Sequence, residues 1–514
     1  MTAQPMSALE EVKARVDPYA GQEVFARLAR GTVEDISAED DVVMRWHGLY
    51  RHRPQEAGLF MLRLKLPGGA ITATQLAAVA DVAEQYAHGR VNLTTRQDIE
   101  LHTLTLADLP AVFAALDAVG LTTLGACGDQ VRNVVTCPVA GIDAEELLDT
   151  TPVAAALTGE FLQNPHFANL PRKFKLALSG CAQHCVPVMI NDLSLVAARN
   201  DAGAMGYALW AGGGLSAQPV MVASLEAWVA PEEAVAVAAK AVEIFRDYGN
   251  RTQRTKARMK HLLAERGMPW FRAELEARLG RPLPPCTPAP LTLTPDDHLG
   301  VHEQHEPGRV FLGIPVPVGQ LHAAQLRCLA TWATRFGQGR LRLTHRQNII
   351  LPDIQEAQLA ALQQEVAAAG FTPSPQSWQG RMVVCTGKTY CNKALAHTKE
   401  TAIRLADALE ELIPNAPFTL QMSGCPNGCG QHALADIGLQ GSAVKTETGM
   451  EERFDLWAGG GAAPAPAFAH RLAIRLHPDE LPGTIAGLWG RYQAEALSAD
   501  ETFSAFARRV LHGS

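Results

Sequence analysis

The sequence consists of two halves that repeat each other at an offset of about 250 residues. Three motifs recur in the same order: a β-rich stretch with an arginine and a glutamine, a serine-glycine-cysteine segment with a second cysteine, and a tryptophan-alanine pair before three glycines. The matched segments are 75–99 with 325–349, 179–192 with 423–436, and 209–214 with 456–461. Such an ordered repeat predicts a duplicated fold with pseudo-twofold symmetry and a ligand at the interface of the halves.

The local patterns within each half predict an α+β fold. In the first half, an apolar run at 59–66 ends in a Pro-Gly-Gly turn, and residues 73–86 have the apolar spacing of a helix. Residues 90–101 are rich in valine, leucine, threonine and isoleucine, which predicts one strand. Each half is thus expected to contain a small two-strand unit followed by a larger lobe. A proline-rich stretch at 280–290 excludes a helix and marks the boundary between the halves.

The composition excludes several classes of protein. With 514 residues, of which 47% are apolar and 19% charged, the chain can build several hydrophobic cores, unlike a disordered or collagenous sequence. The net charge of −8 gives no sign of a nucleic-acid partner. Residues 1–17 lack the basic start and apolar run of a signal peptide, and no apolar stretch has the length of a membrane span. We expect a cytoplasmic monomer that binds neither nucleic acid nor membrane.

The ten cysteines are the strongest chemical signal. They are too few for a secreted disulfide scaffold, and four of them stand in two close pairs: Cys385 with Cys391 in CTGKTYC, and Cys425 with Cys429 in SGCPNGC. Two such pairs of thiolates favour a [4Fe–4S] cluster. Zinc and purely structural thiols are the alternatives, although the five residues between Cys385 and Cys391 exceed the two to four that are usual in zinc sites.

These segments, together with LTTRQDIELH, ACGDQVRN, LPRKFK and the duplicated half, resemble the siroheme- and [4Fe–4S]-containing nitrite and sulfite reductases over nearly the whole chain. The resemblance implies siroheme and a [4Fe–4S] cluster as cofactors. It also implies that Cys385, Cys391, Cys425 and Cys429 bind the cluster, and that Cys429 is in addition the axial ligand of the siroheme iron.

The family's architecture predicts two ferredoxin-like half-domains and two α/β lobes in a pseudo-twofold arrangement. The predicted parts are an N-terminal extension (1–42), a first ferredoxin-like half-domain (43–115), a first lobe with the anion-binding residues (116–280), a linker (281–295), a second ferredoxin-like half-domain (296–372) and a second lobe with the iron ligands (373–514).

The family implies that only one of the two pseudo-symmetric sites keeps its cofactors. Cys181 and Cys185 have the same spacing as Cys425 and Cys429. The cysteines upstream of them, Cys127 and Cys137, are nine residues apart and lie in a different motif. We therefore expect a vestigial site in the first half, with a second cluster as the alternative.

The resemblance assigns substrate binding to four cations. Arg63 lies in FMLRLKLPGG, Arg132 in GDQVRN, and Lys173 and Lys175 in LPRKFK. Cations that converge on a small oxyanion offer charge-assisted hydrogen bonds, and the lysines can also relay protons. A solvated charged edge is the alternative for the lysine segment.

Siroheme carries eight carboxylates, and basic residues must neutralise them. The motifs that contact the macrocycle in the family occur here in both repeats. The cofactor-binding residues that the resemblance implies, besides Cys429, are Arg96, Gln97, Asn133, Arg346, Gln347 and Asn427.

The lysine motif favours sulfite over nitrite as the substrate. Plant-type nitrite reductases tend to carry Asn at the position of Lys175, and an extra cation suits a dianion better than a monoanion. Tyr50 and Cys127 occupy the places that form a covalent tyrosine–cysteine link in actinobacterial ferredoxin-dependent sulfite reductases, with an ordinary core tyrosine and a buried thiol as the alternative. Against this, the surroundings of Cys385 and Cys429 look similar to assimilatory nitrite reductases. We expect reduction of sulfite to sulfide, with reduction of nitrite to ammonia as the alternative.

The electrons are expected to come from a separate protein, because no GxGxxG fingerprint follows a strand and the duplicated halves leave no room for a flavin or nicotinamide domain. The family implies ferredoxin as the donor. The densest basic stretch, 251–260, is a candidate docking site, although its spacing favours a solvated helix face. Precorrin-3B synthase and a non-catalytic cofactor-binding paralogue are remote alternatives, and the complete set of four cations argues against both.

Overall fold

Both halves follow the same order of elements in the computed structural model, which describes residues 6–294, 297–371, 377–414, 416–447, 449–461 and 466–511. Three helices come first: α1 (Ala8–Arg15), α2 (Gly21–Leu28) and α3 (Ala38–Trp46). The first half-domain consists of β1 (Leu49–Arg51), β2 (Phe60–Arg63), β3 (Ala70–Thr72), α4 (Ala73–Tyr86), β4 (Arg90–Leu93), β5 (Ile99–Leu104) and α5 (Leu109–Asp117). The first lobe consists of α6 (Thr151–Phe161), β6 (Leu176–Ser179), β7 (Leu193–Arg199), β8 (Met205–Ala211), β9 (Ala223–Val229), α7 (Ala234–Tyr248), α8 (Met259–Arg266) and α9 (Met268–Leu279).

The second half repeats this order. Its half-domain consists of β10 (Gly300–Glu303), β11 (Arg309–Ile314), β12 (Gln320–His322), α10 (Ala323–Phe336), β13 (Arg340–Leu343), β14 (Ile349–Gln355) and α11 (Leu359–Ala368). Its lobe consists of α12 (Trp378–Arg381), β15 (Val383–Val384), α13 (Lys399–Leu412), β16 (Leu420–Ser423), β17 (Ile437–Thr446), β18 (Gly449–Ala458), β19 (His470–Leu476), α14 (Leu481–Glu495) and α15 (Phe503–Phe506). The predicted α+β class and the duplication are therefore confirmed.

Each half-domain completes its sheet with a strand from the other half. The two five-stranded sheets have the orders β1-β2-β5-β4-β12 and β10-β11-β14-β13-β3. Leu321 of β12 pairs with Val91 of β4, and Ile71 of β3 pairs with Leu341 of β13, both in antiparallel register. The predicted two-strand unit is thus too small, because each sheet has four strands from its own half and a fifth from across the interface between the halves, here called the seam. This exchange joins the halves through backbone hydrogen bonds that neither half can satisfy alone.

The helices that follow the exchanged strands begin with matching caps. In α4 the Gln75 amide N–H donates to Thr72 Oγ1 at 3.2 Å, and the Thr72 N–H donates to Gln75 Oε1 at 3.0 Å. In α10 the His322 N–H donates to Gln325 Oε1 at 2.9 Å. These reciprocal bonds satisfy backbone donors of the first helical turn, which explains why a glutamine recurs at this place in both repeats. The two helices pack against each other over a core shared by both half-domains.

Each lobe carries a sheet whose first strands are parallel. The sheet orders are β6-β7-β8-β9 in the first lobe and β15-β16-β17-β18-β19 in the second. Parallel pairing joins β6 to β7, β15 to β16 and β16 to β17. The carboxyl ends of β15 and β16 therefore lie at the same edge of the sheet, and the cysteine segments begin there.

Two sequence predictions differ from the structure in detail. The stretch 90–101 forms two strands, β4 and β5, because residues 94–98 make a tight turn in which the Thr94 N–H bonds to Asp98 O at 2.9 Å. The predicted domain boundaries after 42 and 115 fall inside α3 and α5. We propose to place these two limits at the ends of the helices, and the other boundaries remain predictions. No helix in the described ranges is both long and apolar enough to cross a membrane.

Candidate functional site

Four cysteines lie on the loops that follow β15 and β16. Val383 and Val384 pair in parallel with Gln421 and Met422, and the Cys385 N–H continues this ladder to Met422 O at 3.0 Å. This register places Cys385 beside the segment that carries Cys425 and Cys429. The backbone N–H of Gly424 donates to Cys385 Sγ at 3.1 Å, so a residue of the second cysteine segment holds the thiol of the first.

The chemistry of these four thiols fits an iron–sulfur cluster. Burial raises the pKa of Cys385 to about 12 and that of Cys425 to about 11, and it also raises the pKa of Cys391. Negative charge on Cys429 acts on all three in the same direction, which shows that the four groups share one electrostatic environment. Four thiolates that repel one another in this way need positive charge between them, as iron would supply.

Two glycines allow the cysteine loops to approach each other. A Cβ at Gly430 would lie 2.0 Å from Met422 O, and one at Gly387 would lie 2.2 Å from Thr398 Oγ1. A larger residue at Gly430 would displace Cys429 from the other cluster cysteines, and one at Gly387 would displace Cys385. Asn427, predicted to bind a cofactor, is exposed and its side chain hydrogen-bonds to the Cys425 sulfur.

Lys173 and Lys175 lie half-buried just before β6, and Lys173 reaches toward the cysteine loops. Burial lowers the pKa of Lys173 to about 7, with Arg258 and Arg132 acting in the same direction, while charge on Cys429 raises it. Lys173 of the first lobe therefore lies within electrostatic reach of Cys429 of the second lobe. Burial lowers the pKa of Lys175 well below its ordinary value, and the nearby cations Arg96 and Lys173 add to this effect.

Asp192 and Arg258 hold the lysine segment in place. The Lys175 backbone N–H donates to Asp192 Oδ2 at 2.8 Å. Arg258 donates from Nε to Asp192 Oδ1 at 3.1 Å and from Nη2 to Asp192 Oδ2 at 2.8 Å. Both side chains are buried. A buried bidentate ion pair of this kind fixes geometry. Sequence reasoning missed Asp192, and the only signal was its match to Asp436 in the repeat.

Arg63 and Arg132 meet at one backbone carbonyl. Arg132 Nη1 donates to Ala126 O at 3.0 Å, and Arg63 Nη1 approaches the same oxygen at 3.5 Å. Arg132 also donates to Gly128 O at 3.0 Å and 2.7 Å, and Arg63 Nε bonds to Glu100 at 3.0 Å. These partners hold both guanidinium groups in fixed orientations, and Arg132 lies within electrostatic reach of Lys173.

Glu100 links the anion-binding side to the cluster loop, and sequence reasoning missed this residue too. One of its carboxylate oxygens accepts from Arg63, and the other accepts from Thr386 Oγ1 at 2.9 Å. Thr386 directly follows Cys385. The Glu100 pKa is held well below its usual range, because the Arg63 guanidinium outweighs the effect of burial.

Tyr50 and Cys127 lie next to each other. The Gly128 N–H donates to Tyr50 Oη at 3.4 Å, so the phenol reaches the residue that follows Cys127. Cys127 is fully buried between Arg63 and Arg132, and burial raises the pKa of its thiol. The covalent link between Tyr50 and Cys127 remains a prediction.

Arg96 and Asn133 lie beside the cations. Arg96 donates to Asn191 Oδ1 at 3.0 Å and to the Asn133 carbonyl, while Asn133 Nδ2 donates to Arg96 O at 2.9 Å. Arg96 Nε and Asn133 Oδ1 are buried with no hydrogen-bond partner in the structure. Such unsatisfied polar atoms beside Lys175 fit a site that binds a polar group such as a macrocycle carboxylate.

The side chains of Gln97 and Gln347 form hydrogen bonds across the seam between the halves. Gln97 Nε2 donates to Leu343 O at 3.0 Å, and Gln347 Nε2 donates to Leu93 O at 2.7 Å, so each amide crosses to the opposite half. Both residues are buried and adopt positive φ, at 59° and 70°. Their described contacts are with backbone, and their predicted role beside the macrocycle remains a prediction.

Arg346 lies at a different place from Arg96. It lines a cavity of about 320 Å³ together with Cys185, Pro417 and Thr419. Pro417 and Thr419 are the repeat positions of Lys173 and Lys175 at the offset of 244 residues that relates Cys185 to Cys429. This cavity is therefore the counterpart of the cation site in the other half of the repeat, and it has neither of the two lysines. The loss explains in physical terms why one of the two pseudo-symmetric sites is suited to an anion.

The basic stretch 251–260 is only in part a solvated face: Arg254 and Lys256 are exposed, whereas two of its other cations turn inward. Arg258 and Lys260 are buried, the first on Asp192 and the second on backbone carbonyls of residues 215–218. Arg254 bonds to Asp129 at 2.7 Å and 3.1 Å. The pattern misled because α8 begins only at Met259, so these charges do not share one helix.

Comparisons with known proteins match nearly the whole chain. The family model "Nitrite and sulphite reductase 4Fe-4S domain" matches residues 127–283, and "Nitrite/Sulfite reductase ferredoxin-like half domain" matches 52–119 and 302–369. The ferredoxin--nitrite reductase of Synechococcus elongatus is 36% identical over 97% of this chain and 99% of its own length. The sulfite reductase (ferredoxin) 2 of Mycolicibacterium paratuberculosis is 33% identical over 99% of this chain and 95% of its own length.

A solved structure also superposes closely. The NirA protein of Mycobacterium tuberculosis matches with a TM-score of 0.93 and 31% identity, over 98% of this chain and 97% of that one. These matches agree with the duplicated fold. The chain therefore belongs to the nitrite and sulfite reductase family of oxidoreductases, and its cofactors are siroheme and a [4Fe–4S] cluster.

Proposed function

We propose that this oxidoreductase reduces sulfite to sulfide with electrons from ferredoxin. The observation that carries the proposal is the presence of two half-buried lysines, Lys173 and Lys175, in one cluster of cations, with Lys173 within electrostatic reach of Cys429. Nitrite is the second candidate, because more of the similar proteins are named nitrite reductases and these are up to 38% identical to the chain. Both reactions use the same site and take up six electrons.

The residues of the chain have distinct roles in this proposal. Cys385, Cys391, Cys425 and Cys429 would hold the cluster, and Cys429 would also hold the siroheme iron. When bound, the two cofactors would pass on the electrons of the donor and supply the iron for substrate binding. Arg63 and Arg132, fixed by Ala126 O and Glu100, orient the oxyanion by charge-assisted hydrogen bonds. Because these bonds are already in place, little reorganisation is needed when the anion arrives.

The lysines supply both charge and protons. Sulfite loses its three oxygens as water, which takes up six protons in all. A Lys173 ammonium with a pKa of about 7 can donate a proton and regain it near neutral pH, as general acid catalysis requires. The cations Arg96, Lys173 and Arg258 surround Lys175 and disfavour its charged form. A bound dianion stabilises that charged form more strongly than a monoanion does.

Replacement of Lys175 by asparagine tests the choice of substrate. We expect Lys175→Asn to lower kcat/KM for sulfite by about tenfold to a hundredfold and for nitrite by clearly less, since one charge-assisted bond contributes about 1.5–3 kcal/mol. Steady-state rates with reduced methyl viologen and each anion are the measurement. The exposed Lys256 provides a matched control, and Lys256→Asn should change neither rate. Equal losses for the two anions would remove the argument for sulfite, and turnover of neither anion by the loaded enzyme would overturn the reductase proposal.

Ferredoxin should dock where the cluster loop reaches the surface. Cys391 is partly exposed, Lys393 beside it is exposed, and Arg53 from the first half-domain donates to Asn392 O at 2.9 Å. The positive charges of Lys393 and Arg53 suit an acidic partner close to the cluster, where electrons must enter. We expect Lys393→Gln to raise KM for ferredoxin several-fold at low salt and to leave methyl viologen turnover unchanged. Lys256→Gln is again the control, and a ferredoxin KM that is unaffected by Lys393→Gln would place the docking site elsewhere.

A further inference from the structure

Two cysteines and a histidine meet beside the first lobe, away from the cation site, and a third cysteine lies next to them. Cys185 Sγ lies 3.2 Å from Cys137 Sγ, and Cys137 Sγ lies 3.7 Å from His298 Nε2, so that the ligand atoms of these three residues are within 4.8 Å of one another. The Cys181 thiol is close enough to Cys137 and Cys185 to interact with both. All four residues are between 1% and 9% exposed, so these side chains are enclosed by protein.

The register of the strands shows where this group belongs in the repeat. Val135 forms a parallel bridge with Ala177, as Val383 does with Gln421 in the second lobe. Cys137 therefore occupies the place of Cys385, although the sequence motifs around the two differ. Cys181 and Cys185 occupy the places of Cys425 and Cys429. His298, from the segment that enters the second half-domain, supplies the fourth group.

The distances suit one metal ion better than a cluster. Around a tetrahedral zinc ion with bonds of about 2.3 Å to sulfur and about 2.0 Å to nitrogen, two sulfurs lie about 3.8 Å apart and a sulfur and a nitrogen about 3.6 Å apart. The separations of 3.2 Å and 3.7 Å differ from these values by about 0.6 Å and about 0.1 Å. A cluster must keep its ligands further apart, because each thiolate binds a different iron.

The surroundings also suit a thiolate site. The backbone N–H groups of Gln183 and Cys185 hydrogen-bond to the Cys181 sulfur, and that of Val139 hydrogen-bonds to Cys137. Hydrogen bonds of this kind orient metal ligands and stabilise their charge. Cys185 also lines the cavity of about 320 Å³, which offers a path for an ion to enter.

We propose that Cys137, Cys181, Cys185 and His298 bind a single thiophilic divalent ion, zinc, in a site derived from the duplicated cluster site. On binding, each coordinating thiol releases its proton to solvent and the imidazole binds in its neutral form. The ion joins the first lobe to the start of the second half-domain. Next to it, the Thr292 N–H already donates to His184 Nδ1 at 3.1 Å, which ties the linker to the same loop. The role is structural, because the cation site lies elsewhere.

Metal analysis of the holoprotein tests this proposal. Zinc and iron are counted by mass spectrometry in protein purified without added metal, and siroheme is measured by its absorbance. We expect about one zinc per chain. Zinc should fall at least tenfold in Cys137→Ser and Cys185→Ser, while siroheme absorbance and iron content stay unchanged. Cys286→Ser, which alters a buried thiol in a separate apolar cluster, should keep its zinc.

Two further measurements make the test independent of how the variants fold. His298→Cys should retain zinc, since it restores a four-ligand set, whereas His298→Ala should lose it. Wild-type protein treated with a chelator should take up Co²⁺ with the thiolate charge-transfer bands of a tetrahedral sulfur site, and zinc should remove these bands. Wild-type protein without zinc and without Co²⁺ uptake would overturn the proposal. So would about four extra irons per chain, which would indicate a second cluster, or a Cys137–Cys185 disulfide in a non-reducing peptide map.

Discussion

Lys173 is the residue whose titration should govern anion binding. Its pKa is lowered from 10.5 to about 7, first by burial and then by Arg258 and Arg132. A bound anion favours the ammonium form and raises this pKa, so above pH 7 binding takes up a proton. Affinity should therefore be constant below about pH 7 and fall by up to tenfold per pH unit above it, until the raised pKa is reached.

Nitrite is the suitable probe for this pH dependence because it keeps a single charge across the range, whereas sulfite itself titrates. The dissociation constant of nitrite is measured from the change in siroheme absorbance between pH 6 and 9. Lys173→Arg is the matched variant, since a guanidinium stays charged throughout. Its affinity should depend on pH much less than that of the wild type. The same steep fall in both proteins would assign the titration to another group.

At the scale of elements, the turn between β16 and β17 depends on the absence of a side chain at residue 430. A Cβ there would lie 2.0 Å from Met422 O, which belongs to the strand itself and cannot move alone. We expect Gly430→Ala to destabilise the protein by about 1–3 kcal/mol and to lower iron and siroheme content, because Cys429 is displaced. Thermal unfolding and cofactor absorbance are the measurements.

Gly490 provides the control for this prediction. It lies on the exposed side of α14, and a Cβ there would meet no atom within 4 Å. Gly490→Ala should therefore stabilise the helix by about 0.5–1 kcal/mol and leave the cofactors in place. If Gly430→Ala behaved like Gly490→Ala, the close approach of the cysteine loop to β16 would not be needed for the site.

Elements with local signals were predictable from sequence. The apolar spacing at 73–86 predicted α4 over the residues that the structure shows, Ala73–Tyr86. The single strand predicted at 90–101 was wrong, because the turn at 94–98 is made by threonine and aspartate bonds and carries neither glycine nor proline. The inward turn of Arg258 was also missed, since its partner Asp192 lies 66 residues away.

At the scale of the whole molecule, the seam between the halves should contribute strongly to stability. Gln347 donates to Leu93 O and Val384 O at 2.7 Å and 3.0 Å, and its carbonyl accepts from the Val384 N–H at 2.7 Å. Gln347→Leu would leave these buried backbone groups unpaired, at a cost of about 1–3 kcal/mol for each. We expect a clearly lower urea midpoint for the variant.

The exposed Gln363 on α11 is the control for the seam, and Gln363→Leu should shift the midpoint by an amount close to zero. Siroheme absorbance of Gln347→Leu separates the two roles of this residue. Lower stability with full siroheme content supports the seam role. Loss of siroheme at unchanged stability would support the cofactor-binding role that the family resemblance implies.

The sequence by itself determined the duplication, the α+β class, the family and its two cofactors, because these depend on residue types at short, fixed spacings such as those of Cys425 and Cys429. Only the tertiary structure decided the exchange of β3 and β12 between the half-domains, the equivalence of Cys137 with Cys385, and the meeting of His298 with the thiols of Cys137 and Cys185. The physical reason is that strand register and packing bring together residues that are distant along the chain, and no local pattern records which distant partner a buried group will find.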